Sequence, residues 1–533
     1  MFERTTRMWV EREGAVMSAK PAEVVETTVP FSSARALAGA FEATLSSDDM
    51  VRTPHDEIEE LCDAQGREWA RRMLEEHMRL RAELEARVPV VGADGVERRA
   101  VRDSGRSLRT IVGSVSVPRL AYQAAGRDDL HPMDGSLNLP KEMFSFGIRR
   151  LVAREVARAS YDEVVELLRD VTGADIAKRQ VEELAMRAAQ DFDAYYERRS
   201  AAETTEELLV VSTDGKGIAM RHEDLREGTR RAAESTKRKL QTRLAPGEKS
   251  NRKRMAQVAA VYSIAPWKRT AADLVRPLRT DAVEELRPKP KGKRVWASVE
   301  KAQQRVIRSA IDEAIRRDPD ATRRWVVLVD GDPKQLRAVK AELRRAKRKA
   351  TIILDVVHVL EYVWKAARAL FGESNAEAED WVGNRLLALL GGRSGGDVAQ
   401  TIRWWSARRK GSLDAARTAA IDEACDYLSD RARTRLMHYE EALRNGLPIA
   451  TGVIEGACRY LVKDRMDRTG ARWSLTGAEA VLRLRAIRAS GDFDDYWKFH
   501  LAAEKGRNHS ARYAAATIPD PLPPRKPRLR RVK

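Results

Sequence analysis

The chain has 533 residues, 33% of them charged and 43% hydrophobic, which is typical of a soluble globular protein with several domains. Its 98 Lys and Arg against 80 Asp and Glu give a formal net charge of +18, which favours a polyanionic partner such as nucleic acid, although acidic membranes also attract basic chains. Three scattered cysteines without a CxxC pair argue against a disulfide framework or a structural zinc site. Because the sequence has neither a long apolar run nor the apolar core of a signal peptide, we expect a cytoplasmic protein without a membrane partner.

The first 140 residues contain one clear helical pattern and one clear pair of strands. Segment 1–55 mixes charged residues with Ser and Ala, and we predict that it is partly disordered. Segment 56–140 begins with apolar residues at three- and four-residue steps over 57–87, which predict an amphipathic helix that either packs on the protein or contacts a partner or DNA. Alternating residues over 98–123 predict two short strands around Gly113.

Segment 141–200 is predicted to be a helical, helix-turn-helix-like DNA-binding domain. A helix begins at Ser160, where Glu163 completes a capping box, and a turn at Gly173 separates it from a second helix. This pattern is typical of a helix-turn-helix, but other pairs of helices share it. In a helix-turn-helix the start of the second helix faces the DNA groove, and the residues there are Lys178, Arg179 and Gln180.

Segment 205–357 carries the apolar runs that predict a sheet. Residues 208–211 and 325–329 are each predicted to form a buried strand that leads into an acidic residue beside glycine. The other predicted elements are strands at 255–264, 269–275 and 351–357, a basic linker at 287–294, and helices at 297–317 and 333–348. The order β-β-β-α-β-α-β predicts a mixed sheet flanked by helices and argues against a doubly wound parallel sheet.

No strand is predicted after residue 357. Segment 358–446 is predicted to be all-helical, and Trp404 and Trp405 within it belong either to the core between helices or to a platform on which bases stack. Segment 447–510 is predicted to return to helices after an Asn-Gly-Leu-Pro breaker. The Pro-, Arg- and Lys-rich residues 511–533 are predicted to form a basic disordered tail.

Three carboxylates that are distant in sequence predict a metal site if they meet at one edge of the sheet. Asp214 and Asp330 follow the two buried strands, and Glu455 opens a late helix. Mg²⁺ and Mn²⁺ prefer oxygen ligands, and two such ions about 3.5–4 Å apart promote phosphodiester cleavage. Asp332 is a second carboxylate beside Asp330, but Asp330 directly ends the strand and is preferred. For Asp214, an Asp-Gly turn with a solvated carboxylate is the alternative.

The sequences around these carboxylates resemble the acidic motifs of DDE transposases with a ribonuclease-H-like core. Asp214 stands in Ser-Thr-Asp-Gly-Lys-Gly, Asp330 in Val-Leu-Val-Asp-Gly-Asp, and Glu455 in Gly-Val-Ile-Glu-Gly-Ala-Cys-Arg. The Asp-Val-Val-His motif that ends at His358 resembles the C/D-x-x-H motif of Mutator-like transposases, and the helical segment after it resembles their all-α insertion domain. The Thr-Asp-Gly-Lys-Gly motif and residues 488–497 are similar to those of bacterial insertion-sequence transposases of the Kra-type group.

The resemblance implies an α+β protein. It would have a ribonuclease-H-like mixed sheet core with helices, an all-α insertion domain and a mostly helical N-terminal DNA-binding region. Asp214, Asp330 and Glu455 would bind two Mg²⁺ or Mn²⁺ ions, and His358 would be catalytic or, alternatively, only stabilise a helix start. The implied activity is the nicking of insertion-sequence ends and the joining of the 3′-OH to target DNA.

The implied partner is double-stranded DNA, both terminal inverted repeats and target, bound by a homodimer or larger assembly associated with the nucleoid. A guide or structured RNA is a further candidate partner. The alternative functions are a non-catalytic DNA-binding regulator derived from a transposase and a ribonuclease-H-like structure-specific DNA nuclease. Basic residues near the carboxylates are predicted to contact DNA phosphates, with a solvated face or a turn lysine as alternatives. They are Lys216, Arg459, Lys463, Arg465, Arg468 and Arg472.

Overall fold

The computed structural model describes residues 30–200, 206–235, 251–275, 287–373, 375–450, 452–468 and 470–523. The helices that open this part of the chain are α1 (Ser32–Leu45), α2 (Asp48–Val51) and α3 (His55–Glu83). Of the segment predicted to be partly disordered, residues 1–29 lie outside the described residues and most of the remainder is helical. The amphipathic helix predicted over 57–87 is confirmed as α3.

Two antiparallel pairs of strands follow α3. One pair is β1 (Val90–Val91) with β2 (Glu97–Arg98), and the other is β3 (Ala100–Thr110) with β4 (Gly113–Gln123). The predicted strands around Gly113 are thus confirmed, and Gly113 adopts a φ of +120°, where other residues are strained. Met78 of α3 packs with Leu108 and Val115 in a small core between the helix and this strand pair.

Five short helices lead to the central sheet. They are α4 (Pro132–Ser136), α5 (Phe146–Glu155), α6 (Tyr161–Thr172), α7 (Lys178–Ala189) and α8 (Phe192–Arg198). The predicted capping box starts α6, because the Glu163 N–H donates to Ser160 Oγ at 3.2 Å and the Glu163 carboxylate accepts from the Ser160 N–H. Gly173 ends α6 with a φ of +65°, so the predicted helix, glycine turn and helix are present.

The central sheet has five strands with both faces covered by helices. The strands are β5 (Leu208–Ala219), β6 (Lys253–Ile264), β7 (Lys291–Ser298), β8 (Arg324–Val329) and β9 (Thr351–Leu354). Across the sheet the order is β7-β6-β5-β8-β9, with β6 antiparallel to both of its neighbours and with β8 and β9 parallel to β5.

The helices within this region are α9 (Glu227–Ser235), α10 (Ala271–Val275), α11 (Gln303–Arg317) and α12 (Pro333–Arg345). Alternate side chains of β6 point into two separate cores, as the two-residue period of a strand requires. Ala259 and Val261 pack in the core that contains α11, whereas Val258 and Ala260 pack with residues that follow position 452.

Three predictions in this region are wrong. Residues 269–275 contain the helix α10 and no strand, and the third strand is instead β7, within the stretch predicted as linker and helix start. β5 continues through Asp214, so this carboxylate stands inside a strand and not in an Asp-Gly turn. Apart from the short α9 and α10, the predicted order β-β-β-α-β-α-β is confirmed. Residues 236–250 and 276–286 lie outside the described residues.

Beyond β9 the described residues form helices and turns. The α-helices are α13 (Val356–Phe371), α14 (Ala376–Leu390), α15 (Gly395–Arg408), α16 (Ala415–Arg433), α17 (Tyr439–Arg444), α18 (Gly452–Ala457), α19 (Asp464–Met466), α20 (Leu475–Ala489) and α21 (Phe493–Asn508). A π-helical turn, Cys458–Lys463, joins α18 to α19. The helical character predicted for 358–446 is confirmed for its described residues.

The two adjacent tryptophans of α15 have different environments. Trp405 packs against Phe371, with ring centroids 5.7 Å apart. Trp404 is 51% exposed, and the Arg408 guanidinium lies 4.2 Å from its ring centroid. One ring therefore belongs to the helical core, as predicted, and the other lies at the surface.

The predicted disordered tail is partly ordered. The N–H groups of Ala93 and Ala86 donate to the backbone oxygens of Arg512 and Pro521 at 2.9 and 2.8 Å, and Tyr513 is buried against the N-terminal strands. Residues 511–523 are therefore attached to the region of β1 to β4, while 524–533 lie outside the described residues. Among the helices that the structure describes, none combines the length and apolarity needed to cross a membrane.

Candidate active site

Three aspartates lie level with one another at one edge of the central sheet. The pairing of β5 with β8, continued past the end of β8, sets Asp214 beside Asp330. The pairing of β8 with β9, continued in the same way, sets Asp330 beside Asp355, and the Asp355 N–H donates to Val329 O at 2.8 Å. Because neighbouring strands are about 4.8 Å apart, this register places the three carboxylates along one rim.

The Asp214 side chain is held from two directions. Its Oδ1 accepts from the Gly215 N–H at 2.6 Å, and its Oδ2 accepts from the Cys458 thiol at 3.1 Å. Cys458 begins the π-helical turn that follows α18, so this hydrogen bond joins the sheet to the helix that carries Glu455. Burial and the adjacent Asp214 charge raise the pKa of the Cys458 thiol, which keeps its proton available for donation.

Asp330 is fixed by the loop that joins β8 to α12. Its N–H donates to Gln335 Oε1 at 3.1 Å, and the Gln335 amide in turn donates to Thr213 O at 2.7 Å, so Gln335 ties this loop to β5. Asp330 Oδ1 accepts from the Asp332 N–H at 2.8 Å. The Asp332 carboxylate caps α12 by accepting from the N–H two residues further on. This capping role agrees with the preference for Asp330 over Asp332 as the site residue.

Glu455 lies on α18, which packs against β5 and β6. Partial burial raises the pKa of its carboxyl group, and the charges of Asp355 and Asp214 add to the increase. Burial likewise raises the pKa of Asp330, and the charge of Asp214 contributes to that increase. The charge of Asp214 thus contributes to the raised pKa of both Glu455 and Asp330, and the joint role of the three carboxylates as metal ligands stays a prediction.

The three proposed metal ligands lack a close ion-pair partner within the described ranges. In the part of the chain that the structure describes, Asp214, Asp330 and Glu455 form no ion pair with Lys or Arg. Carboxylates held together in this way cost electrostatic free energy, which a divalent cation would offset. All three donors are carboxylate oxygens, the ligands that Mg²⁺ and Mn²⁺ prefer.

The carboxylates are not arranged as a finished metal site. Among the described residues, no group of three His, Cys, Asp or Glu is placed so that it could hold a metal ion. The Oδ2 of Asp214 and the Oδ1 of Asp330 are instead occupied by the hydrogen bonds described above. The donor chemistry thus fits a divalent cation, while the side chains must rotate to coordinate one.

His358 lies in the first turn of α13, directly beside the acidic rim. Asp355 caps this helix by accepting from the Val357 N–H at 2.9 Å. His358 Nδ1 is 3.5 Å from Glu361 Oε2, and its proximity offsets part of the increase in the pKa of both Asp330 and Glu455. The histidine therefore faces the candidate site, and its catalytic role stays a prediction.

The three predicted groove residues lie at the start of α7. Lys178 pairs with Asp162 at 2.7 Å and Arg179 with Glu183 at 3.1 Å, and both side chains are exposed. Gln180 Oε1 accepts from the backbone N–H of residue 177 at the helix start. Lys178 and Arg179 are thus open to a partner at the surface, whereas Gln180 is partly engaged in its own helix.

Most of the basic residues predicted near Glu455 are exposed. These are Lys216, Arg459, Lys463, Arg468 and Arg472. Arg468 pairs with Glu163 at 2.8 Å and Arg459 lies 3.8 Å from Asp464, whereas Lys463 and Arg472 have no ion pair with any described residue.

Arg465 is a correction to the predicted DNA contacts. It is 3% exposed, its guanidinium lies 4.8 Å from the ring centroid of Trp473, and its Nε donates to Val156 O at 3.3 Å. The side chain points inward because α19 packs this face of the turn against the core, so it cannot reach a DNA backbone in this conformation.

Sequence reasoning missed several residues that shape the site. Cys458 follows Glu455 by three positions, a spacing that puts both on one helix face and could have indicated it. No sequence signal marks Gln335 or Tyr427. Gln335 accepts from the Asp330 N–H, and the Tyr427 hydroxyl donates to Asp330 O at 3.4 Å, but no local pattern in the sequence indicates either contact. No protein-family model matches this chain, and no curated protein matches it significantly.

Proposed function

We propose that the protein is a DDE transposase with a ribonuclease-H-like core. The observation that carries this proposal is the level placement of Asp214 on β5 and Asp330 at the end of the neighbouring parallel strand β8, with Glu455 on α18, which packs against β5. The sheet order β7-β6-β5-β8-β9, in which three antiparallel strands precede two parallel ones along the chain, supports the ribonuclease-H-like core. The helices of residues 358–446 precede Glu455 in the chain. An all-α insertion domain has this position in the family that the sequence resembles, so these helices support the proposal.

In the proposed mechanism Asp214, Asp330 and Glu455 would hold Mg²⁺ or Mn²⁺. A cation bound there would supply Lewis acidity toward the attacking water or 3′-OH and toward the leaving oxygen of the phosphodiester. Cys458 donates to Asp214 and the Asp332 N–H donates to Asp330, and these hydrogen bonds would keep the two carboxylates close to the site while each side chain rotates and offers a remaining lone pair to the cation. The exposed basic residues beside Glu455 and at the start of α7 would bind the DNA backbone.

The test compares nicking of labelled DNA that carries the element's ends by wild type, Asp214→Asn and Glu455→Gln, with Mg²⁺ or Mn²⁺. A matched control is Asp495→Asn, which removes a carboxylate of α21 that is 75% exposed and is not a proposed ligand. We expect nicks from wild type and the control, and none above background from the other two variants, which should bind the DNA as tightly as wild type.

Three results would contradict parts of this proposal. Loss of DNA binding by a folded Asp214→Asn protein would argue against its role as a metal ligand. Tight binding without nicking under every metal would favour a non-catalytic DNA-binding regulator. Nicks without transfer of the 3′ end to a second duplex would favour a structure-specific nuclease on the same core.

A further inference from the structure

A cavity of about 330 Å³ lies between the strand pair β3–β4 and the C-terminal end of α21. None of its lining residues belongs to the acidic rim. Its basic lining residues are Arg106, Arg119, Lys141, Arg507 and Arg512. The described acidic residues of the lining are Asp128 and Asp134, so positive charge is in excess.

One of these cations has no carboxylate partner among the described residues, and another has only a long ion pair. Arg106 donates to the backbone oxygens of Pro140, Lys141 and Glu142, and its ion pair with Asp134 is 3.9 Å long. Lys141 is exposed and makes no ion pair with any residue in the described ranges. Arg119 does pair with Asp134, but its buried Nε has no hydrogen-bond partner.

Burial, together with the proximity of the cations to one another, disfavours the charged forms of two groups at the cavity. Burial lowers the pKa of Arg119 to about 10, and the neighbouring Arg106 charge adds to this effect. Burial and the Arg119 charge lower the pKa of His131, at the same cavity, to about 4. His131 is therefore neutral at physiological pH, and the cavity keeps a concentration of positive charge that a bound anion would offset.

We propose that this cavity binds a phosphate group. Phosphate oxygens match the positive charge of the guanidinium groups that line the cavity, and the exposed Lys141 supplies a further point charge that has no carboxylate partner among the described residues. The volume lies within the range of small-ligand sites and exceeds what one phosphate needs, so the phosphate can carry a substituent. It belongs either to a nucleic-acid backbone or to a free phosphate compound. The inference does not depend on the proposed transposase activity.

Occupation of the cavity would join distant parts of the chain. Arg106 and Arg119 belong to β3 and β4, whereas Arg507 lies in the last turn of α21. A phosphate that bridges them would therefore stabilise the packing of the C-terminal segment on the N-terminal strands, and thermal unfolding of the full chain should report it.

The experiment measures thermal unfolding of the full chain with and without inorganic phosphate or pyrophosphate, at constant ionic strength set with chloride. The variants are Arg106→Gln and Lys141→Gln. The control, Lys498→Gln, removes an equal charge from a side chain that is 79% exposed on α21 and does not line the cavity. We expect saturating phosphate to raise the Tm of wild type and control by at least about 2 °C, and that of the two variants by less than half as much.

A second arm identifies the source of the phosphate. It measures fluorescence anisotropy of a labelled duplex while pyrophosphate is added at constant ionic strength. Displacement of DNA from wild type, but not from Lys141→Gln, would assign the cavity to the nucleic-acid backbone. Stabilisation by phosphate without displacement would assign it to a free phosphate compound.

The proposal is overturned if phosphate raises the Tm of all four proteins equally or leaves that of wild type unchanged. Arg106 is largely buried and donates to backbone oxygens, so its replacement risks misfolding. Lys141 is exposed and donates to no described residue, so Lys141→Gln is expected to fold and decides the test alone.

Discussion

The hydrogen bond between Cys458 and Asp214 links two residues that are 244 positions apart. The thiol is buried, and its partner is a carboxylate that we propose as a metal ligand. A side chain that orients a ligand in this way sets the direction in which its oxygen atoms point. Cys458 is therefore a positioning residue in the proposed mechanism, although its sequence context marks only Glu455.

Replacing Cys458 by alanine should weaken metal-dependent nicking without loss of the fold. We expect the nicking rate at low Mg²⁺ to fall about 10- to 100-fold, because outer-shell partners of metal ligands typically contribute this much. Cys458→Ser retains a donor and should lose less. The measurement is single-turnover nicking as a function of Mg²⁺ concentration.

The control for this prediction is Cys425→Ala. It removes the other buried thiol, whose Sγ lies 3.6 Å from a backbone oxygen. The cavity that this substitution creates should lower the stability of the protein and leave the Mg²⁺ dependence of nicking unchanged. If Cys458→Ala and Cys425→Ala had the same Mg²⁺ dependence, Cys458 would be a packing residue.

At the scale of elements, the strands in the middle of the sheet and the edge strand β9 were predictable, whereas the other edge strand, β7, was not. β5 and β8 are covered on both sides, so their apolar runs indicate strands directly. β7 is an edge strand that begins with Lys, Gly and Lys after two prolines, and edge strands commonly carry such residues. The same composition is typical of a linker, which explains the error.

Contacts between elements also decide how the acidic rim is supported. The Tyr427 hydroxyl of α16 donates to Asp330 O, and the Tyr427 ring stacks on Tyr362 of α13 with centroids 3.7 Å apart. Gly331, next in sequence to Asp330, has a φ of +88° beside Arg431 of α16. The inserted helices thus contact the backbone of the loop that carries the second carboxylate, which no local pattern in the sequence predicts.

Gly331→Ala should therefore disturb both stability and the site. An added Cβ would lie 2.8 Å from Leu354 Cδ1 and 2.9 Å from Arg431 Nε, besides the strain of the positive φ. Gly372→Ala is the matched control, since its φ is +87° and no atom lies within 4 Å of the added Cβ. We expect Gly331→Ala to lose about 1–3 kcal/mol more unfolding free energy than the control in urea titrations, and to nick DNA more slowly. Equal losses would show that only backbone strain matters.

At the scale of the whole molecule, the candidate site is assembled from three parts of the chain. Asp214 and Asp330 come from the sheet, His358 from the start of the inserted helices, and Glu455 from the helix that follows them. Their order along the sequence predicts convergence, because parallel strands end at one edge of a sheet. The sequence does not predict which basic residues face outward: Arg465 is buried while Lys463 is exposed, because they lie on different faces of one helical turn.

The net charge of +18 makes the strength of DNA binding a property of the whole surface, but individual residues contribute differently. Lys463 and Arg472 are exposed and unpaired among the described residues. When both are replaced by Gln, DNA binding should release about two fewer counterions. The slope of log affinity against log salt concentration should therefore become shallower by about 1.8. The control replaces Arg99 and Lys498, whose side chains are 85% and 79% exposed and already paired with carboxylates. Anisotropy titrations of a labelled duplex between about 50 and 200 mM salt measure both slopes. Identical slopes for the two double variants would show that Lys463 and Arg472 do not contact DNA phosphates. DNA would then be held near Glu455 only by the overall positive charge of the protein.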